Sequence, residues 1–118
     1  MITTIQLINL DYLDMMSEGD VDMKITMLEM LIDEIPEEIG KMDALLAAQD
    51  WKNLNEVSHK LKSTLSYVGA DVMTNANSSI DQATKVSQGL DTIPANLKIL
   101  KENQQTVISE LQEVLKSL

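Results

Sequence analysis

The sequence predicts an all-α fold: an antiparallel up-and-down four-helix bundle with a short extra helix at the N-terminus. Apolar residues recur at the 3.6-residue spacing of amphipathic helices, and no stretch shows the two-residue alternation of a β-strand. Glycine and proline are scarce, at 4 and 2 residues, so few positions interrupt the helices. The predicted connections are short, which favours antiparallel neighbours.

Length and composition restrict the class of protein. A chain of 118 residues can bury one good core but not two, so we expect a single domain over residues 1–118. The absence of cysteine excludes disulfides and thiolate chemistry. No apolar run approaches the roughly 18–20 residues that span a bilayer, and residues 1–16 lack the basic start of a signal peptide. We therefore expect a cytoplasmic protein that does not enter a membrane.

The first two helices are predicted from leucines, a cap and one proline. A short first helix, ending near residues 17–20, is indicated by Leu7, Leu10 and Leu13. Asp20 can cap a long second helix, whose apolar stripe runs from Met23 to Leu46. The stripe stays in phase through Pro36, so we expect one kinked helix rather than two.

Five of the eight methionines fall within residues 15–30: Met15, Met16, Met23, Met27 and Met30. We interpret them as core-filling side chains, because the chain has no phenylalanine and most of them lie on or beside the helical stripe. The alternative is a methionine-rich surface that binds peptides.

Three more helices complete the predicted bundle. They are expected over residues 51–68, from 71 to about 87–92, and from about 94 to the C-terminus. Asp50 can cap the first of them, and Gly69 can end it in a left-handed conformation. Asp71 opens the next helix, and Pro94 suits the first turn of the last.

The charge argues against nucleic-acid binding, which needs a basic face. The formal net charge is −10, with nine lysines and no arginine. Three lysines, however, fall within eleven consecutive residues around His59, the single histidine: Lys52, Lys60 and Lys62. Lysines beside an imidazole favour its neutral, nucleophilic form and would offset the charge of a phosphoryl group.

Helical geometry places His59 on the surface. At 100° per residue it lies roughly 155° from the centre of the apolar face of its helix. Its neighbours at three- and four-residue spacing are Asn55, Glu56, Lys62 and Ser63, with Ser66 further along the same side. These residues are small or polar, and Lys62 is best placed to support a phosphoryl group.

The sequence lacks the motifs of several common enzyme classes. No P-loop, GxGxxG or HExxH pattern is present, so the chain does not resemble a kinase. A metal site would have to use carboxylates almost alone, since there is one histidine and no cysteine. We predict no metal site.

The stretch from His59 to Ser63, HKLKS, followed by Val68-Gly69-Ala70, resembles the signature of histidine-containing phosphotransfer (HPt) domains. The resemblance covers most of residues 8–116, including a long helix with a proline and an acid-plus-aromatic start to the histidine helix. It implies a monomeric, HPt-like helical domain over residues 1–118.

The resemblance also implies a mechanism and partners. His59 would accept a phosphoryl group from a receiver-domain aspartate and pass it to another receiver, without catalytic machinery or a cofactor of its own. Mg²⁺ would be held by the partner. Lys62 would stabilise the phosphate, and the residues implied in receiver docking are Asn55, Ser63, Ser66 and Gly69. The partners would be response-regulator receiver domains and a hybrid sensor histidine kinase.

Three positions depart from the family pattern. Ser63 stands where glycine is commonest, Asp81 replaces the usual glutamate, and Leu31 occupies a position where phenylalanine is frequent. An alternative function is a helical adaptor that binds a receiver or kinase without being phosphorylated. The start at Met1 favours a free-standing protein, although a domain of a larger hybrid kinase stays open.

Overall fold

The computed structural model describes residues 7–118, which form five α-helices and one short 3-10 turn. The helices are α1 Asp11–Ser17, α2 Val21–Ala47, α3 Trp51–Val68, α4 Asp71–Val86 and α5 Ile93–Lys116, with the 3-10 turn at Leu90–Thr92. Residues 1–6 lie outside the described residues. They belong to the predicted domain and to the N-terminal segment that we predict is not a signal peptide. Because no strand occurs from residue 7 onward, the all-α prediction is confirmed.

Four of these helices form the bundle. α3 packs between α2 and α4, and α5 closes the bundle by packing against α4 and α2. α1 packs against α2 and α3. The shared core is made of fully buried aliphatic side chains and methionines, among them Leu28, Leu31, Ile35, Met42, Leu54, Leu61, Leu65, Met73, Ile80, Leu100, Val107 and Leu111. None of the described helices is apolar over enough of its length to cross a membrane.

The predicted helix ends are confirmed where a side chain or a glycine defines them. Asp20 Oδ1 accepts a hydrogen bond from the Met23 amide at 3.1 Å and caps α2. Asp50 Oδ1 accepts one from the Asn53 amide at 3.2 Å and caps α3. Such caps stabilise a helix by about 1 kcal/mol each. α2 continues through Pro36 without a break, as the unbroken apolar stripe predicted.

The first helix is shorter than predicted. It begins at Asp11, so Leu7 and Leu10 precede it. The reason is tertiary: the amides of Leu7 and Ile8 donate to the carboxylate of Glu110 on α5, at 2.9 and 3.1 Å. Further helical turns at these residues would lose the bonds that tie this segment to α5.

The interpretation of the early methionines as core residues is wrong for four of the five. Met15, Met16, Met23 and Met30 are between 40% and 63% exposed, while Met27 packs partly buried against the core. α1 has only two turns and buries a single apolar residue, Leu13. The first fully buried residue of α2 is Leu28, one turn or more beyond Met23. These segments therefore have little core to fill.

Candidate functional site

His59 lies near the middle of α3 with its side chain exposed. The opposite face of the same helix carries fully buried leucines, including Leu54, Leu61 and Leu65. The prediction that His59 lies on the surface is therefore confirmed. Within residues 7–118 no side chain or backbone group hydrogen-bonds the imidazole, so its ring nitrogens face solvent without a partner.

A buried pair of neutral side chains holds α3 against α4 beside His59. The Ser58 hydroxyl donates to Asn77 Oδ1 at 2.8 Å, and Asn77 Nδ2 donates back to the Ser58 carbonyl at 2.9 Å. Both residues are buried, at 0% and 1% exposure. An unpaired buried polar group destabilises the folded protein. The Ser58–Asn77 pair therefore favours the one register of α3 on α4 in which both groups are bonded. It thereby determines how far His59 projects from the bundle.

Asn55 makes a second set of contacts between α3 and α4. Its Nδ2 donates to Asp81 Oδ1 at 3.1 Å and approaches Thr84 Oγ1 at 3.0 Å. Asp81, the residue that departs from the glutamate of the family pattern, thus uses its shorter carboxylate to hold Asn55. Asn55 is half-buried, and its amide is committed to α4. Its predicted role in docking stays a prediction.

On the other flank an ion pair joins α3 to α2. Lys60 Nζ lies 3.0 Å from Glu38 Oε1, and the Glu38 side chain is only 2% exposed whereas that of Lys60 is 60% exposed. The hydrogen bond to Glu38 and its charge raise the pKa of the Lys60 ammonium, with smaller contributions from Glu34 and Glu37. The local excess of positive charge that the sequence indicated is therefore smaller than expected, because α2 neutralises one of its three lysines.

Glu38 was not among the sequence-predicted residues, although its spacing offered a signal. It lies three residues after Ile35 and four before Met42, both fully buried. This spacing puts Glu38 on the core-facing stripe of α2. A carboxylate on such a stripe needs a cation, and Lys60 supplies it.

The structure leaves Lys62 unpaired. No carboxylate from residue 7 onward lies within ion-pair distance of it, and the same holds for Lys52 and Lys85, whereas the other six lysines are paired: Lys24, Lys41, Lys60, Lys98, Lys101 and Lys116. Lys62 is exposed and lies three residues, or one turn, from His59. It is the nearest lysine along the exposed face of α3 that keeps its charge uncompensated.

Ser63 and Ser66 are exposed on the same side of α3. The Ser66 hydroxyl donates to the Ser63 carbonyl, so it is satisfied within the helix. Neither side chain is large enough to cover the imidazole. No large side chain therefore projects beyond the imidazole on this side of α3, so a partner protein can approach His59.

Gly69 has a backbone role at the end of α3. Its φ of 68° is left-handed, and a Cβ at this position would overlap the carbonyl oxygen of Asn9. The Asn9 amide donates to the Val68 carbonyl at 2.8 Å, which brings the two chain segments together. Gly69 is ten residues from His59, about 15 Å along the helix axis. Its predicted part in docking remains untested.

The surroundings of His59 differ from a small-molecule site. One groove of about 440 Å³ lies between α2 and α5, away from His59, and is lined by residues such as Asp43, Leu46 and Pro94. Another lies at the end of α3, where Ser66 and Gly69 line it but His59 does not. Among residues 7–118 no three acidic or histidine side chains are placed to hold a metal ion. Small substrates usually bind in concave pockets, so an exposed histidine on a helix face points to a macromolecular partner.

A helical bundle that presents one histidine from the middle of a helix defines a class of protein, and comparisons with known proteins agree with it. The family model of the Hpt domain matches residues 26–118. The chain is similar to the signal transduction histidine-protein kinase BarA of Shigella flexneri, at 28% identity over 97 residues. That alignment covers 82% of this chain but only 11% of BarA.

Two solved structures share the fold. The HPT domain of a hybrid sensor histidine kinase from Shewanella has a TM-score of 0.77 at 26% identity, covering 95% of this chain and 96% of its own. The histidine-containing phosphotransfer protein HptB of Pseudomonas aeruginosa PAO1 has a TM-score of 0.86 at 16% identity, covering 98% and 99%.

The chain belongs to the Hpt domain family. It therefore has a phosphotransfer role in two-component signalling, a role that implies contact with kinase or receiver domains of such systems.

Proposed function

We propose that this chain is a phosphoryl carrier of a phosphorelay. His59 accepts a phosphoryl group from the aspartate of one receiver domain and passes it to the aspartate of another. The observation that carries the proposal is the exposed imidazole of His59, which has no hydrogen-bond partner among the described residues and lies in the middle of an Hpt-family helix.

The proposed transfer needs no nucleotide. The lone pair of a neutral imidazole nitrogen attacks the phosphorus of the aspartyl phosphate, and an N–P bond forms as the P–O bond to the aspartate breaks. The carboxylate leaves with the electron pair, and the other ring nitrogen keeps its proton. The reverse sequence of bond changes delivers the group to the second receiver. Acyl phosphates are reactive enough that positioning and charge stabilisation suffice.

In this proposal Lys62 neutralises the phosphoryl group on His59. Its support is the uncompensated charge of Lys62, one turn away on the exposed face. Ser63 keeps the surface low enough for a receiver to approach, and Ser66 extends this surface along α3. The receiver brings Mg²⁺ and the aspartate, as the resemblance to HPt domains implies.

The partners in this proposal are response-regulator receiver domains and a hybrid sensor histidine kinase. The similarity to BarA and to the Shewanella hybrid-kinase domain supports this class of partner. We further propose that the chain works in the cytoplasm as a monomer. Whether it is free-standing or part of a larger kinase does not change the chemistry at His59.

The test is phosphotransfer from receiver domains of the source organism, each first phosphorylated with acetyl phosphate and Mg²⁺. We expect the native chain to take up the phosphoryl group and the His59→Gln variant to take up none, a loss of at least a hundredfold. Gln105→Ala is the matched control, because it changes an exposed side chain on α5 and leaves the surface around His59 intact.

Labelling of His59→Gln at the native rate would overturn the assignment of His59. A native chain that binds receivers but is never labelled would instead support the helical adaptor. Binding should then persist in His59→Ala.

A further inference from the structure

We propose that Glu38 is a positioning residue: it holds Lys60 away from the phosphoryl group on His59 and leaves Lys62 as the lysine that neutralises it. This inference rests on the proposed carrier function and specifies how the charge of that site is divided between two lysines.

The geometry gives the two lysines different tasks. Lys60 Nζ contacts Glu38 Oε1 at 3.0 Å, and no other described side chain hydrogen-bonds the Glu38 carboxylate. Glu38 is 2% exposed, so loss of Lys60 would leave a buried charge without a partner. Lys62 forms no ion pair with any carboxylate among residues 7–118. The helix separates them as well, since Lys60 lies on the side of α3 that faces α2 and Lys62 lies on the exposed side.

Lys60 could reach the site if it were released. It directly follows His59, its side chain is 60% exposed, and a lysine ammonium sits on a flexible four-carbon stem. Glu38 is therefore what directs this ammonium toward α2. Its neighbours Glu34 and Glu37 add negative potential in the same direction, as their effect on the pKa of Lys60 shows.

The division matters because a carrier must release what it accepts. A second ammonium close to a phosphoryl group of charge near −2 would stabilise phospho-His59 relative to the receiver's aspartyl phosphate. The group would then accumulate on this chain rather than pass on. By pairing with Lys60, Glu38 keeps the transfer equilibrium closer to balance.

The experiment measures that equilibrium rather than a rate. Native chain and the Glu38→Met variant are mixed with the receiver that labels the native chain, and the ratio of phospho-His59 to phosphorylated receiver is read at equilibrium. Methionine keeps the length of the side chain and removes the acceptor. We expect the ratio to rise about threefold to tenfold in Glu38→Met.

Two variants separate release of Lys60 from other effects. Glu37→Met removes the same charge from the adjacent, exposed residue, which pairs with Lys41, and should change the ratio less than twofold. Adding Lys60→Met to Glu38→Met should return the ratio to within twofold of native. An elevated ratio that persists in the double variant, or an unchanged ratio in Glu38→Met, would overturn the proposal. Loss of folded protein removes acceptor and therefore lowers this ratio, whereas release of Lys60 is expected to raise it.

A second measurement uses the native protein and needs no phosphotransfer. Acylation of lysines by a succinimidyl ester, followed by mass spectrometry, should modify Lys60 several times more slowly than Lys62, because the amine of Lys60 is held protonated by Glu38. In Glu38→Met, or in Glu38→Gln if the first variant does not fold, the difference should shrink. Equal labelling in the native chain contradicts the ion pair and hence the inference. A native chain that never accepts a phosphoryl group would instead contradict the proposed carrier function. The lysine labelling tests the Glu38–Lys60 ion pair independently of that result.

Discussion

The two flanks of α3 are held in different ways. Toward α4, the contact beside His59 is neutral and buried: the Ser58–Asn77 pair. The half-buried amide of Asn55 adds a bond to the Asp81 carboxylate. Toward α2, the contact is an ion pair between a buried carboxylate and a largely exposed ammonium, Glu38 and Lys60. One flank relies on hydrogen bonds shielded from solvent, and the other relies on charge at the protein surface.

The difference separates two requirements of a site on a helix face. The height and rotation of His59 must not vary with salt or pH, and neutral buried hydrogen bonds meet that requirement because they carry no charge to screen. The electrostatic potential around a phosphoryl group, by contrast, is adjusted strongly by nearby charged side chains. α4 therefore positions the histidine, and α2 adjusts the charge near it.

The largest expected effect is on the α4 flank. Asn77→Ala should lower the free energy of unfolding by about 2–3 kcal/mol, because it removes both side-chain hydrogen bonds and leaves the Ser58 hydroxyl with only the 3.2 Å contact to the backbone carbonyl of residue 77. Urea denaturation measures it. Ser58→Ala is the milder comparison, at about 1–2 kcal/mol, since Asn77 Nδ2 keeps its bond to the Ser58 carbonyl. If the two single variants and the double variant were strictly additive, the reciprocal pair would not be a unit.

An intermediate effect is expected at Lys62. Lys62→Gln should slow phosphoryl uptake by about tenfold, because it removes the uncompensated charge one turn from His59. The free energy of unfolding should change by less than about 0.5 kcal/mol, as for most surface substitutions. Lys52→Gln makes the same charge change two turns from His59 and should slow uptake less than twofold. Equal slowing by both variants would indicate that uptake depends on the overall positive charge of the protein surface rather than on Lys62 in particular.

The smallest effect is a pH dependence on the α2 flank. The pKa of Lys60 is raised by Glu38 first, then by Glu34 and Glu37. A raised pKa in the folded state means that the pair contributes its stability fully below the unfolded lysine pKa of about 10.4 and loses it as pH rises through the folded pKa. Relative to the double variant Glu38→Met with Lys60→Met, the native chain should therefore lose stability as the pH rises above about 10.4.

Urea midpoints at pH 8, 10 and 11.5 would show this loss as a narrowing gap between the two proteins. Lys98→Met with Glu102→Met is the matched control, because it removes an exposed pair at 3.7 Å within α5. No narrowing is expected there. A gap that stays constant to pH 11.5 in the Glu38 and Lys60 comparison would mean that the ion pair does not form in solution.

The position of His59 could be predicted from the sequence because it depends on local geometry. Three- and four-residue spacing decides which side of a helix faces the core, and the leucines of α3 mark that side clearly. The caps at Asp20 and Asp50 and the end of α3 at Gly69 are also local, since each involves residues within one turn. For the same reason the uninterrupted α2 could be predicted through Pro36.

The partners of individual side chains could not be predicted in this way. Nothing in the spacing of α3 reveals that Lys60 meets Glu38, 22 residues earlier, or that Asn77 meets Ser58. The first helix was predicted too early in the chain because Glu110, a hundred residues away, binds the amides of Leu7 and Ile8. The early methionines were misplaced because helical spacing identifies an apolar stripe but not how much of it a neighbour covers.

The sequence alone therefore determined the class of fold, most helix bounds and the exposure of the single histidine, because these follow from contacts within a few residues. Only the tertiary structure decided which lysine near His59 is neutralised and which keeps its charge. That distinction depends on a carboxylate from another helix, and such a contact arises only when α2 and α3 pack together.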